Sequence, residues 1–123
     1  MNNKKLQEGI KTYFPVKPTN EQNEVIKDIS EFICTIGNRS IFILKGFAGT
    51  GKTTLIASLI KALPILAKRS VLLAPTGRAA KVLSNYSSKS ASTIHKKIYW
   101  IKTNKNGNTF ITLKENKYTN TIF

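Results

Sequence analysis

The stretch that most constrains this chain is Gly46-Phe47-Ala48-Gly49-Thr50-Gly51-Lys52-Thr53. The apolar run Ile41-Phe42-Ile43-Leu44 precedes it, and Thr54-Leu55-Ile56-Ala57-Ser58-Leu59-Ile60 follows. The spacing G-x-x-x-x-G-K-[ST] between a buried strand and an amphipathic helix is the setting of a phosphate-binding loop. Glycines permit torsions closed to other residues, so successive N–H groups can turn inward around phosphate oxygens. The helix N-terminus adds unpaired N–H groups and partial positive charge. In such a loop Lys52 reaches the β- and γ-phosphates, and the Thr53 hydroxyl ligates Mg²⁺.

On either side of the loop, local signals divide the chain. Residues 1–18 are polar and carry Pro15 and Pro18, which predicts a loosely ordered lead-in. Val25, Ile26, Ile29, Phe32, Ile33 and Ile36 recur at helical spacing, with Gly37-Asn38 as a stop. Thr19 and Gln22 form a capping box for that helix. After the loop, Pro64 ends or kinks the next helix. Val71-Leu72-Leu73-Ala74 is of β type and predicts a parallel, right-handed β-α-β pairing with the strand before the loop. Pro75-Thr76-Gly77 closes that strand, and a helix follows from Arg78 to Ser84. Ser92 or Thr93 caps a short helix bearing His95. Tyr99-Trp100-Ile101 and Thr109 to Leu113 flank Asn106-Gly107, which predicts a β-hairpin with a type I′ turn. The expected class is therefore α/β, a parallel sheet flanked by helices with an inserted hairpin.

Charge is distributed unevenly. The chain has 20 basic and 6 acidic side chains, a formal net charge of +14. Residues 1–52 hold 8 basic and 5 acidic side chains, whereas residues 53–123 hold 12 basic side chains and the single acid Glu115. The second part is where a polyanion would bind, unless an AT-rich gene has simply enriched lysine. Cys34 is the only cysteine, which argues against disulfides or a cysteine metal site and favours a reducing cytoplasm. No secretory signal is visible at the N-terminus, and Lys61 and Lys68 interrupt the longest apolar stretch, so no membrane span is expected.

Hydrolysis of a nucleoside triphosphate needs a second, carboxylate-bearing strand that holds Mg²⁺. Asp28 is the only aspartate and precedes the loop, and Glu115 lies in a polar connector. The chain by itself is expected to lack hydrolysis. Thr121-Ile122-Phe123 reads as the start of a further apolar strand, which suggests the front part of a longer protein.

Three segments resemble motifs I, Ia and Ib of superfamily 1 DNA helicases that move 5′ to 3′, of the RecD and Dda kind. They are Gly46 to Thr54, Leu73-Ala74-Pro75-Thr76-Gly77-Arg78-Ala79-Ala80-Lys81, and Ala91-Ser92-Thr93-Ile94-His95. The resemblance implies a partial RecA-like P-loop NTPase domain over residues 19–99, after the lead-in of residues 1–18. An inserted hairpin region would span 100–118, and residues 119–123 would begin a truncated Walker B strand. It implies ATP and Mg²⁺ as cofactors and single-stranded DNA as partner, with a second RecA-like domain missing. Nucleotide contacts would come from Gln22, Gly46, Ala48, Gly49, Thr50, Gly51, Lys52, Thr53 and Thr54, with Lys52 the catalytic cation and Thr53 the metal ligand. DNA contacts would come from Pro75, Thr76, Arg78, Lys81, Thr93 and His95.

Several of these residues have a second reading. Gln22 either reads adenine or serves its capping box, and one side chain can do both. Arg78 and Lys81 share one helix face and either follow a DNA backbone or are merely solvated. His95 either touches DNA or is a partly buried imidazole. Trp100 and Phe110 either stack on bases or pack the hairpin against the body. Two other functions compete with the helicase. One is a small P-loop nucleotide kinase, for which no lid or acceptor site is visible. The other is a binder of ATP or nucleic acid without turnover.

Overall fold

A computed structural model describes residues 2–35, 37 and 39–123. The chain is a mixed α/β protein with small parallel and antiparallel sheets and flanking helices, divided into two units, Met1–Arg69 and Ser70–Phe123. Ile36 and Asn38, part of the expected helix end, lie outside the described residues.

The first unit is helical. Helix α1 (Asn2–Tyr13) packs on α2 (Asn20–Thr35) and on α3 (Lys52–Ala62). This corrects the expectation of a loosely ordered lead-in. Leu6 and Ile10 recur four residues apart, and both are 0% exposed, in a core shared with Ile26, Ile33, Leu55 and Leu63. Ser58 of α3 donates its hydroxyl to the Tyr13 carbonyl at 3.2 Å, which ties the end of α1 to the loop helix. Helix α2 starts as predicted. The Gln22 N–H donates to Thr19 Oγ1 at 3.2 Å, and Gln22 Oε1 accepts the Thr19 N–H at 3.0 Å. Helix α3 stops at Ala62, and Pro64 opens a 3₁₀ turn, Leu63–Leu66, as its missing N–H and fixed φ favour.

Ile41 to Leu44 is not a paired strand, contrary to the prediction. Side chains still alternate. Phe42 and Leu44 are half-buried, the Phe42 ring lying 5.3 Å from that of Phe32 in α2, while Ile41 and Ile43 are 84% and 72% exposed. A parallel strand exists only through hydrogen bonds to a neighbour. Among the described residues the sheets are β1–β6, β2–β3 and β4–β5, and none includes this segment.

In the second unit the parallel pair is a different one. Strand β2 (Leu72–Ala74) runs beside β3 (Ala91–Thr93) in the register Leu72↔Ala91, Leu73↔Ser92, Ala74↔Thr93. Helix α4 (Gly77–Ser87) makes the crossover between them. Ser84 of α4 donates to the Ala80 carbonyl and accepts the Ala91 N–H at 2.8 Å, which fixes helix against strand. Strand β1 (Arg69–Ser70) pairs with β6 (Thr121–Ile122), and the Val71 N–H donates to the Ile122 carbonyl at 2.8 Å.

Helix α5 (Ile94–Ile98) leads into the hairpin of β4 (Tyr99–Thr103) and β5 (Thr109–Leu113). The pairing Tyr99↔Leu113 through Thr103↔Thr109 is antiparallel, as expected. Its turn is not type I′. That turn needs positive φ at both central residues, and here Gly107 has φ +81° while Asn106 is not in that region. The Asn104 carbonyl accepts the Gly107 N–H at 3.0 Å, and Asn104 Oδ1 accepts the N–H groups of Asn106 and Asn108. A wider loop that ends on a left-handed glycine replaces the two-residue turn because the Asn104 amide pays for two otherwise unpaired donors.

Candidate functional site

The loop between Leu44 and α3 is shaped by two glycines in the left-handed region, Gly49 at φ +79° and Gly51 at φ +87°. Gly51 is the N-cap of α3 and supplies no side-chain cap, so the first turn of the helix is open toward the loop. The loop also closes on itself. Thr50 Oγ1 donates to the Phe47 carbonyl at 2.8 Å, and a Cβ at Gly46 would stand 2.9 Å from that hydroxyl oxygen. Lys52 Nζ donates to the carbonyls of Gly46 and Phe47, both at 2.6 Å. Its ammonium is thereby held over the loop, on acceptors that a more strongly charged oxygen can replace. Thr53 is exposed and Thr54 half-buried beside it. An open depression of about 410 Å³ is bordered by Lys45, Gly46 and Phe47.

Gln22 reaches this loop from α2. Its Nε2 donates to the Thr50 carbonyl at 3.2 Å, across 28 positions of sequence. The capping box and a contact to the loop coexist in this one side chain. Among the described residues no group of three or more His, Cys, Asp or Glu side chains could hold a metal ion.

The remaining candidates lie in the second unit. Pro75 and Thr76 follow β2, and Thr93 ends β3. The register Ala74↔Thr93 brings both segments to the C-terminal edge of one parallel pair. Both threonines cap helices. Thr76 Oγ1 accepts the Ala79 N–H and Thr93 Oγ1 accepts the Lys96 N–H, each at 3.2 Å. Pro75, Thr76, Arg78, Lys81 and His95 are exposed, and the His95 ring lies 5.8 Å from that of Tyr99. Trp100, Lys102, Phe110 and Thr112 share one face of the hairpin, by strand alternation and register. Trp100 and Phe110 stay more than half exposed, and Lys114 Nζ sits 4.2 Å from the centre of the Trp100 ring.

Two features carry little or no local signal in the sequence. The α1 brace shows only as Leu6, Ile10 and Phe14 at four-residue intervals. The Gln22–Thr50 contact has no local signal at all. Among the described residues no helix is long and apolar enough to cross a membrane.

The ATP-dependent DNA helicase dda of Enterobacteria phage T4 is 51% identical over 53 residues, which is 42% of this chain and 12% of that protein. The matched stretch is thus a small part of the relative's length. No solved structure matches. A family model described as an AAA domain matches residues 30–122, which include the loop at residues 46–53 and both β2 and β3. Over most of its length, the chain belongs to the AAA domain family, with helicase-superfamily homology in part of it.

Proposed function

We propose that the chain is the N-terminal part of the first RecA-like motor domain of an ATP-dependent DNA helicase. It binds Mg-ATP at Gly46–Thr54 and single-stranded DNA along Pro75, Thr76, Arg78, Lys81, Thr93 and His95. The observation that carries the reading is the Lys52 ammonium held on two loop carbonyls in front of an uncapped helix start. A β- or γ-phosphate oxygen would take over those acceptor positions, while the loop N–H groups receive the remaining charge. The 51% identity to a DNA helicase over 53 residues supports the choice of partner.

Replacing Lys52 by alanine removes the one charge aimed at the phosphates. In the whole protein Lys52→Ala should lower DNA-stimulated ATP hydrolysis by about 10² to 10³-fold, as loss of a dedicated electrostatic donor does. Unchanged turnover in that variant would sink the assignment.

A second reading has its own observation. Glu115, the only acid after Lys52, is well exposed and paired at 3.7 Å with Lys117. This favours a chain that binds ATP or nucleic acid without turning it over. Single-turnover hydrolysis of radiolabelled ATP by the whole protein separates the two: product at enzyme-stoichiometric amounts excludes the binder.

A further inference from the structure

Helix α5 has five residues, too few to persist on its own backbone hydrogen bonds. Its C-terminal carbonyls find donors beyond the helix. The Tyr99 N–H, at the C-cap, donates to the His95 carbonyl. The Lys96 carbonyl accepts Lys114 Nζ at 2.7 Å, and the Ile98 carbonyl accepts the Lys114 N–H at 2.7 Å. Lys114 directly follows β5, so one residue at the end of the hairpin closes the end of α5 twice.

The Lys114 ammonium has a further neighbour, the Trp100 ring on β4, whose centre lies 4.2 Å away. An indole face and the C-terminal end of a helix both favour a cation, the first through its quadrupole and the second through its dipole. Glu115, next in the chain, pairs with Lys117 at 3.7 Å. Burial agrees with a structural role for this lysine. Lys114 is half-buried, whereas Ile111 to Leu113 before it and Glu115 to Asn120 after it are exposed. At its other end α5 carries its N-cap Thr93 and, one residue further in, His95. A helix this short frays when its last carbonyls lose their donors, and the cap and the imidazole then lose their fixed places.

We propose that Lys114 is a positioning residue: its ammonium, held between the Lys96 carbonyl and the Trp100 ring, locks the hairpin to α5. The lock keeps Thr93 and His95 in place for a single strand of DNA that Lys114 itself does not touch. This rests on the reading of Thr93 and His95 as DNA contacts.

The test measures the affinity of the chain for a fluorescein-labelled oligothymidylate over a series of salt concentrations. Acrylamide quenching of Trp100, the single tryptophan of the sequence, is read alongside. Wild type is compared with Lys114→Met, Lys114→Arg and Lys117→Met. Lys114→Met keeps most of the stem and loses the charge and the donor. It should weaken binding about fivefold, as loss of one hydrogen bond of ordinary net worth does, and should raise the quenching of Trp100. Its salt slope should match that of Lys117→Met, which removes an exposed charge from the connector after the hairpin. Lys114→Arg offers the same carbonyl a donor and the same ring a cation, so affinity and quenching should both stay near wild type. Should Lys114→Met fail to fold by circular dichroism, Lys114→Gln, with a shorter donor and no charge, takes its place with the same expectations. A salt slope lower by about 0.7 than in Lys117→Met would make Lys114 a phosphate contact and overturn the proposal. So would wild-type affinity or unchanged quenching in Lys114→Met, or a loss in Lys114→Arg as large as that in Lys114→Met. If wild type binds no oligothymidylate, the reading of Thr93 and His95 as DNA contacts fails and the proposal with it, a result distinct from every outcome in the variants.

Discussion

Substituting Leu6 by alanine removes three carbon atoms from a side chain that is 0% exposed between α1 and the rest of the helical unit. At about 0.8 kcal/mol per buried methylene the transfer loss is roughly 2.4 kcal/mol. A cavity term adds to it, because α1 has little room to settle inward. A Cβ on Gly9 would already stand 2.5 Å from Ile65 Cδ1 and 3.3 Å from Ala62 Cβ. The expected total is about 3 kcal/mol, within the range for buried leucine truncations. With a urea slope of about 2 kcal/mol per molar, the midpoint of the helical unit should fall by about 1.5 M. Helical circular dichroism against urea reads this directly. Lys5→Ala, on the exposed side of the same helix, should move the midpoint by no more than about 0.25 M. If Leu6→Ala behaves like Lys5→Ala, α1 is not part of the core, and the packing argument fails.

Two further outcomes have different signs. Ser30 is 0% exposed in α2, and among the described residues its hydroxyl is one of two buried side-chain atoms without a partner. Ser30→Ala should therefore raise thermal stability by about 1 kcal/mol, by sparing the desolvation of an unpaired hydroxyl; a lower melting temperature would refute this. Arg78 and Lys81 are both exposed on the first half of α4. If they meet DNA phosphates, the double variant Arg78→Ala/Lys81→Ala should reduce the slope of log affinity against log salt by about 1.4 for single strands, and an unchanged slope would assign them to solvent.

Much of the local structure is written in residues three or four apart. The Thr19–Gln22 box, the helix end at Pro64 and a cap at Ser92 or Thr93 each depend on contacts within one turn, so type and spacing suffice to read them, with Thr93 rather than Ser92 the cap in the fold. The hairpin was legible for the same reason, but its turn was not. Asn106-Gly107 favours a type I′ turn in isolation, and the Asn104 side chain, by accepting two N–H groups, stabilises a wider loop instead.

The glycine-rich loop divides along the same line. Where Gly49, Gly51 and Lys52 stand is a matter of sequence, and the positive φ of both glycines follows from their lack of a Cβ. Which carbonyls receive Lys52, and that Gln22 holds Thr50 across 28 positions, are tertiary results. The strand partners are the clearest case. Ile41 to Leu44 and Leu72 to Ala74 are both short apolar runs, so sequence alone makes them plausible neighbours. A strand is completed by whichever edge offers it hydrogen bonds in register, and that is a competition among distant segments. Sequence by itself determined the loop, the caps and the alternation of side chains. Only the tertiary structure decided that Leu72–Ala74 pairs with Ala91–Thr93, and that Leu6 and Ile10 become core, because pairing and burial depend on what else the folded chain brings alongside.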